Sequence, residues 1–399
     1  MVKISTKNTK RKSRLIVGGI FLCTLIIVSL SLTSSVEIYT KDGFSQSGST
    51  ENATSTTLAT TNKSQAKPIA TIKMVESAPV TAAPMLIIPM TPVDPAIYDA
   101  KMLKIANLPP LPVTASTTAT STVVRKPSPW PVKGAPYPNA GALLPSNRII
   151  AYYGNLYSRR MGVLGKYDPP EMLAMLASTT KKWHDTDPST PIIPALDYIA
   201  VVAQAGAGVD GKHRARMPDS EIDKVIALAA QINAIVILDV QVGLSNVQSE
   251  IPYFEKYLKL PQVHLALDPE FSMHNGARPG TVVGTMDAVD VNFTANYLAK
   301  LVKENNLPPK VLIVHRFTRA MLTNAKKIKP LPDVQVVIDM DGFGSSAKKI
   351  GTYTQVVIPE PVQFTGFKLF YVNDVAAGHM MTPSEVLKLS PQPSFIQYQ

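Results

Sequence analysis

The stretch "VHLALDPEFSM", residues 263–273, sets two carboxylates, Asp268 and Glu270, at the end of a run that reads as a buried strand. Side chains two apart on a strand point to the same face, so both acids are expected to look into one space. Carboxylates held that close raise one another's pKa, and one of them then keeps a proton near neutral pH. A positioned, protonated carboxyl is what general-acid chemistry needs. Glu270, outermost and after a rigid proline, is the expected acid. Asp268, one layer deeper, is expected to orient it and raise its pKa. Asp239, ending "AIVILDV", is expected to add a third carboxylate nearby.

Such a cluster needs a scaffold that brings several strand ends together. From residue 146 onward, short runs rich in Val and Ile recur at 148–155, 192–202, 234–243, 263–271, 310–317, 334–344, 365–373 and 394–399. Helical patterns such as "PPEMLAMLASTTKKWH", "PDSEIDKVIALAAQI" and "VNFTANYLAKLVKENN" separate several of them. Strands alternating with helices imply a parallel sheet with right-handed crossovers. Eight such units over residues 146–399 predict a single (β/α)8 TIM-type barrel; an open doubly wound sheet is the alternative. Barrel sites gather at the C-terminal ends of the strands. There the sequence places Tyr152, Tyr153, Gln241, His315, Arg316, Asp339, Asp341, Tyr371 and Gln397, the expected substrate-binding set. The tyrosines offer flat apolar faces suited to sugar rings. His315 and Arg316 alternate, so one is expected in the cavity and the other, Arg316 by preference, paired with a loop acid. Asp197 in "ALDYIA" reads as a buried structural acid, and "GKHRAR" at 211–216 as a solvated loop.

The Asp-x-Glu on the fourth strand, with the opening "IIAYYGN" and the closing "FIQYQ", resembles chitinase-type and lysozyme-type glycosidase barrels. The resemblance rests on these few short motifs. It implies an acid role for Glu270 in cleaving or holding a glycan, with cell-envelope glycan as the expected partner. The fuller chitinase pattern has aspartates where this chain has Val263 and Ala266, so a substrate-assisted mechanism is not implied. The segment 146–399 as a whole also resembles a group of bacterial exported, lipoprotein-like proteins to which no activity attaches.

Two other classes of function compete. Asp239, Asp268, Glu270, Asp339 and Asp341, with His315, could hold a divalent metal for a phosphodiesterase or deacetylase, although no paired-histidine motif is present. A barrel that binds glycan without cleaving it is the other. No cofactor is otherwise expected. No glycine-rich loop with the spacing and lysine of a nucleotide site is found, so no nucleotide is expected.

The formal charge of +11 over 399 residues suggests nucleic acid until it is located. Residues 1–14 hold six Lys/Arg and no acid, whereas residues 146–399 hold 25 Lys/Arg against 23 Asp/Glu. No nucleic-acid partner is expected of a nearly neutral barrel. The basic tail precedes nineteen uncharged residues, 15–33, long enough to span a bilayer. Residues 1–14 are therefore expected in the cytoplasm, 15–35 as a transmembrane signal anchor or a cleaved signal peptide, and the remainder outside. The single cysteine, Cys23, lies within that apolar run and lacks the small residues that precede a lipidated cysteine. Residues 36–145, rich in Ser, Thr, Ala and Pro, are expected to form an extended linker, in which "MLIIPMTPVDPAIYDAKMLKIANLPPLP" could fold or dock.

Overall fold

The computed structural model describes residues 88–108 and 128–399. The expected anchor at 15–35, the basic tail and Cys23 lie outside these. No helix among the described residues is long and apolar enough to cross a membrane.

Eight parallel strands close on themselves: β1 (Arg148–Gly154), β2 (Ile192–Ala203), β3 (Ile235–Val240), β4 (Val263–Leu267), β5 (Lys310–Arg316), β6 (Val334–Met340), β7 (Phe364–Leu369) and β8 (Phe395–Tyr398). Each pairs with its sequence neighbours, and β1 pairs with both β2 and β8, which leaves no edge in the ring. All eight apolar runs are strands. A short antiparallel strand, Arg214–Arg216, extends β2 beyond the rim.

The helices outside the ring follow from local signals. In α2 (Pro169–Thr186) a proline opens the first turn, and Met172, Leu173, Leu176, Thr179 and Trp183 recur at helical spacing to bury one face. In α3 (Asp219–Ala230), acids fill the first turn while Ile222, Val225 and Leu228 pack inward. The long α4 (Ala288–Asn305) starts at a capping box made by Asp287 and Asp290 and stops at Asn306 in the left-handed conformation. Between β5 and β6 lie only the two-residue strand Leu322–Thr323 and the 3-10 turn Ala325–Lys327, so one crossover carries no α-helix.

The folded part reaches upstream of residue 146, into the stretch expected as linker. Residues 95–106 form α1, capped by Asp94, whose carboxylate accepts from the Ala96 and Ile97 amides at 2.8 and 3.2 Å. Met102 and Ile105 of α1 share a buried cluster with Leu143, Leu144 and the lower lumen, including Ile149, Ile235, Ala266, Ile313, Val337 and Phe395. The helix thus stoppers the N-terminal end of the barrel. Gln335 of β6 ties the stopper down: its Oε1 accepts from the Leu143 and Leu144 amides at 2.9 and 3.0 Å, and its Nε2 donates to the Leu144 carbonyl at 2.6 Å. With the bottom half of the lumen closed and, apart from the satisfied Gln335, largely apolar, the charged side chains gather in the C-terminal half.

Candidate functional site

The lumen side of each strand alternates apolar below and polar above. Asp197 on β2, Asp239 on β3, His315 on β5, Asp339 on β6, Lys368 on β7 and Gln397 on β8 are all buried in one layer. Gly366 makes this layer possible, because a Cβ there would lie 2.5 Å from Asp339 Oδ1 and 2.9 Å from the Phe395 ring.

His315 is the hub. Its Nε2 lies 3.0 Å from Asp239 Oδ2 and its Nδ1 3.0 Å from Asp339 Oδ2, with Asp341 Oδ2 at 3.7 Å. Burial disfavours a charged imidazole, but the hydrogen bonds to Asp239 and Asp339 outweigh that and hold its pKa well above the usual value. The ring is therefore an imidazolium donating from both nitrogens. Lys368 provides the second cation, with Nζ 2.9 Å from Asp341 Oδ1 and 3.9 Å from the centre of the Tyr153 ring. Burial again opposes the charge, and Asp341 with the other acids raises the pKa nonetheless.

These two cations do not balance the acids around them. Asp197 is pushed up to about 8, first by burial and then by Asp239, while Gln397 Nε2 donates to it at 2.6 Å. Asp268 is buried and raised well above the carboxylate range by burial and by Asp239. Burial raises Asp339 as well, against the pull of His315. At neutral pH the layer therefore retains protons on some of its carboxyls.

The Asp268–Glu270 pair departs from the expected geometry. The strand β4 ends at Leu267, and Pro269 to Phe271 form one 3-10 turn. Asp268 caps that turn, accepting from the Glu270 amide at 3.2 Å. The two acids therefore do not share a strand face: proline takes the chain out of the ladder. Asp268 is turned down into the buried layer, where Gln241 Nε2 donates to it at 3.2 Å. Glu270 stands half-buried at the mouth, and burial followed by Asp341 pushes its carboxyl up to about 7, against the opposing pull of Lys368 and His315.

The remaining expected residues divide. Tyr153, Gln241, Asp339, Asp341, His315 and Gln397 are brought together in the lumen, where the Tyr153 hydroxyl accepts from Gln241 at 3.2 Å. Tyr152 is not in the cavity. It points outward, with its hydroxyl 2.8 Å from Thr179 of α2 and 2.9 Å from the Tyr371 hydroxyl, inside an aromatic cluster with Tyr398. Strand alternation is the reason, since Tyr153 takes the lumen side. Tyr371 stands at the outer rim rather than over the acids. Arg316 also points outward, donating to three backbone carbonyls and pairing with Glu360 at 2.6 Å. In "GKHRAR", Arg214 and Arg216 both clasp buried Glu250, at 2.8 and 2.7 Å, so they fix a loop.

Sequence reasoning missed Lys368, whereas Asp197 is buried and hydrogen-bonded, in line with its reading as a structural acid. Period-two alternation in "TGFKLFY" could have flagged Lys368 as a lumen residue, since Gly366 and Lys368 share a side. Among the described residues, no three His, Cys, Asp or Glu side chains form a metal-ligand group.

No family model matches the chain, and no curated protein does. Solved structures overlap it loosely. Cellulose synthase subunit Z from Clostridioides difficile is similar at 12% identity and TM-score 0.32, over 64% of this chain and 91% of that one. A tri-modular endo-beta-1,4-glucanase from Bacillus licheniformis is similar at 11% identity and TM-score 0.35, over 64% of this chain and 55% of that one. The HPPK-DHPS protein of Plasmodium falciparum, solved with pteroate, is similar at 11% identity and TM-score 0.30, over 64% and 45%. Overlap this loose carries no chemistry from one barrel to another.

Proposed function

We propose that the barrel acts on a cell-envelope glycan by carboxylate acid/base chemistry, with Glu270 as the general acid. The observation that carries this reading is the state of Glu270: half-exposed at the mouth, and held up to about 7 above a layer of buried charge. A carboxyl in that state keeps its proton near neutral pH and can hand it to a leaving oxygen. Asp341 is the complementary group. It is a buried carboxylate just past the end of β6, held 2.9 Å from Lys368, and it is suited to steady a developing positive charge on the sugar ring. Asp268 acts as a positioning residue, since it caps the Glu270 turn, while Lys368 and His315 in the layer below oppose the rise in proton affinity that burial and Asp341 give Glu270.

The basic residues 1–14 and the apolar run 15–33 support export, with the barrel held outside the cytoplasmic membrane. A glycan-binding barrel without turnover is the second reading. It is favoured by the near-complete burial of Asp239, Asp268 and Asp339, which leaves few carboxyls in reach of a substrate. A screen of peptidoglycan, chitin and other envelope glycans, wild type beside Glu270→Gln, separates the two. Turnover that drops by ~10²-fold or more in the variant supports the acid role. Equal turnover in both removes Glu270 from the mechanism, and binding without turnover supports the second reading.

A further inference from the structure

At the rim formed by the loop after β1 and the ends of β7 and β8 lies a concavity of ≈ 340 Å³. Its walls differ in character from the acid layer. Arg159, Arg160 and Lys166 line it with Tyr167, Phe370 and Tyr371. Arg159 has one exposed partner, Asp168, at 3.0 Å, a contact worth little in water. No carboxylate among the described residues pairs with Arg160 or Lys166, and Lys166 instead lies 5.6 Å from the centre of the Tyr167 ring.

The cleft is built rather than incidental. Gly162, at φ +138, lets the loop lie against β1 so closely that a Cβ would sit 2.2 Å from the Tyr153 carbonyl oxygen. Gly165 does the same against Asn155, at 2.0 Å. On the opposite wall, the Tyr371 hydroxyl is held at 2.9 Å by Tyr152, and the Phe370 amide donates to buried Asp374 at 3.0 Å. Phe370 is also the partition: its ring faces the cleft and lies 5.3 Å from Lys368 Nζ in the acid layer. A cleft walled by basic and aromatic side chains, and lined also by Asn373 and Gln399, thus adjoins the acid layer across one side chain.

A ring-shaped ligand bearing a negative charge suits the cleft and is repelled by the mouth. Guanidinium groups recognise carboxylates with two parallel hydrogen bonds, and aromatic faces take the apolar face of a sugar. We propose that this cleft is a subsite for a carboxylate-bearing sugar unit, and so that the glycan acted on is acidic. The charged unit docks against Arg160 and Lys166, which sets the neighbouring linkage over Glu270. This rests on the glycan reading above. Complementary charge of this kind fixes register as well as affinity.

The test uses the full chain in detergent, with Glu270→Gln present so that nothing is consumed. Acidic oligosaccharides of several linkages are titrated calorimetrically, each beside its carboxyl-reduced, neutral counterpart. At least one acidic member should bind ~10-fold or more tightly than its reduced form, and the advantage should shrink as salt is added. The double substitution Arg160→Gln, Lys166→Gln should bring the pair to within ~2-fold, with an unchanged melting temperature and circular dichroism spectrum reporting that the fold is intact. Equal binding of acidic and reduced forms overturns the subsite, as does a preference that survives the double substitution or an absence of binding by every member. Turnover by the wild-type chain is read separately. A charge preference without turnover keeps the subsite and removes the hydrolase; turnover of neutral glycan without charge preference does the reverse.

Discussion

Gly366 of β7 and Asp339 of β6 occupy one another's space: a Cβ on Gly366 would stand 2.5 Å from the carboxylate oxygen Oδ1 of Asp339. The register pairs the two residues directly across the strands. The carboxylate that holds His315 from one side therefore depends on a missing side chain. Gly366→Ala should displace Asp339, loosen its 3.0 Å contact with His315 and cost about 1–3 kcal/mol, as overpacking of a closed core does. Denaturant midpoints measure this. A variant as stable as the parent would show that the carboxylate can move aside freely.

His315→Gln tests the hub itself. It removes a buried cation from between Asp239 and Asp339 and leaves both acids uncompensated, so a loss of about 3–5 kcal/mol is expected. The pH dependence has a definite sign. The folded pKa of His315 lies above the unfolded value of about 6.5, so its stabilisation is complete below that pH and is lost as pH rises through the folded value. Across pH 5–8 the imidazole resonances of His315 should not titrate in the native protein. A midpoint near the free value would contradict the double hydrogen bond.

Glu270 and Asp197 act in the opposite sense. Their folded values, about 7 and about 8, lie above those of free carboxyls, so the fold disfavours their ionised forms. Their contribution to stability should fall as pH rises from about 4 and level off above 8. Activity should decline above pH ~7 as Glu270 loses its proton. In Glu270→Gln that alkaline limb should vanish from any residual activity, and Asp197→Asn should flatten the stability slope without removing the limb. A limb that persists in Glu270→Gln assigns it to another group.

Asp374 holds two loops at the mouth. It accepts from the Gly344 amide at 2.9 Å, from the Phe370 amide at 3.0 Å and from buried Lys349 at 2.6 Å. Asp374→Ala leaves a buried ammonium unpaired and frees the backbone that carries Phe370 and Phe343. A loss of about 3–5 kcal/mol is expected, with faster amide exchange confined at low denaturant to residues near 342–346 and 370–376. Protection unchanged there would mean that the loops are held by other contacts.

The sequence by itself determined the eight strands and their parallel order, while closure into a barrel rather than an open sheet is seen in the pairing of β1 with both β2 and β8. Eight Val/Ile-rich runs and the helical patterns among them require parallel crossovers, because each run is apolar on both faces and each helix on only one. It also marked Asp239, Asp268, Glu270, His315, Asp339 and Asp341 as strand-end groups, since polar side chains closing apolar runs stand out locally. Alternation allowed only one of His315 and Arg316 into the lumen and left the choice open; the structure puts His315 inside and gives Arg316 a loop acid, Glu360.

Only tertiary structure decided the rest. Local periodicity does not give the angle at which strands meet, so it could not show that one imidazole spans Asp239 and Asp339, which lie 100 residues apart. Proline set Asp268 and Glu270 at different depths, which the two-residue rule alone does not show. Lys368 sits in an apolar run and gains its meaning only from Asp341 and Tyr153 across the lumen. The helix Pro95–Ala106 lies in the apolar stretch of the linker that could fold or dock, and only its buried residues, Met102, Ile105 and Ala106, show that it docks at the base of the barrel. In each case the deciding quantity is a distance through space, and chain order does not encode it residue by residue.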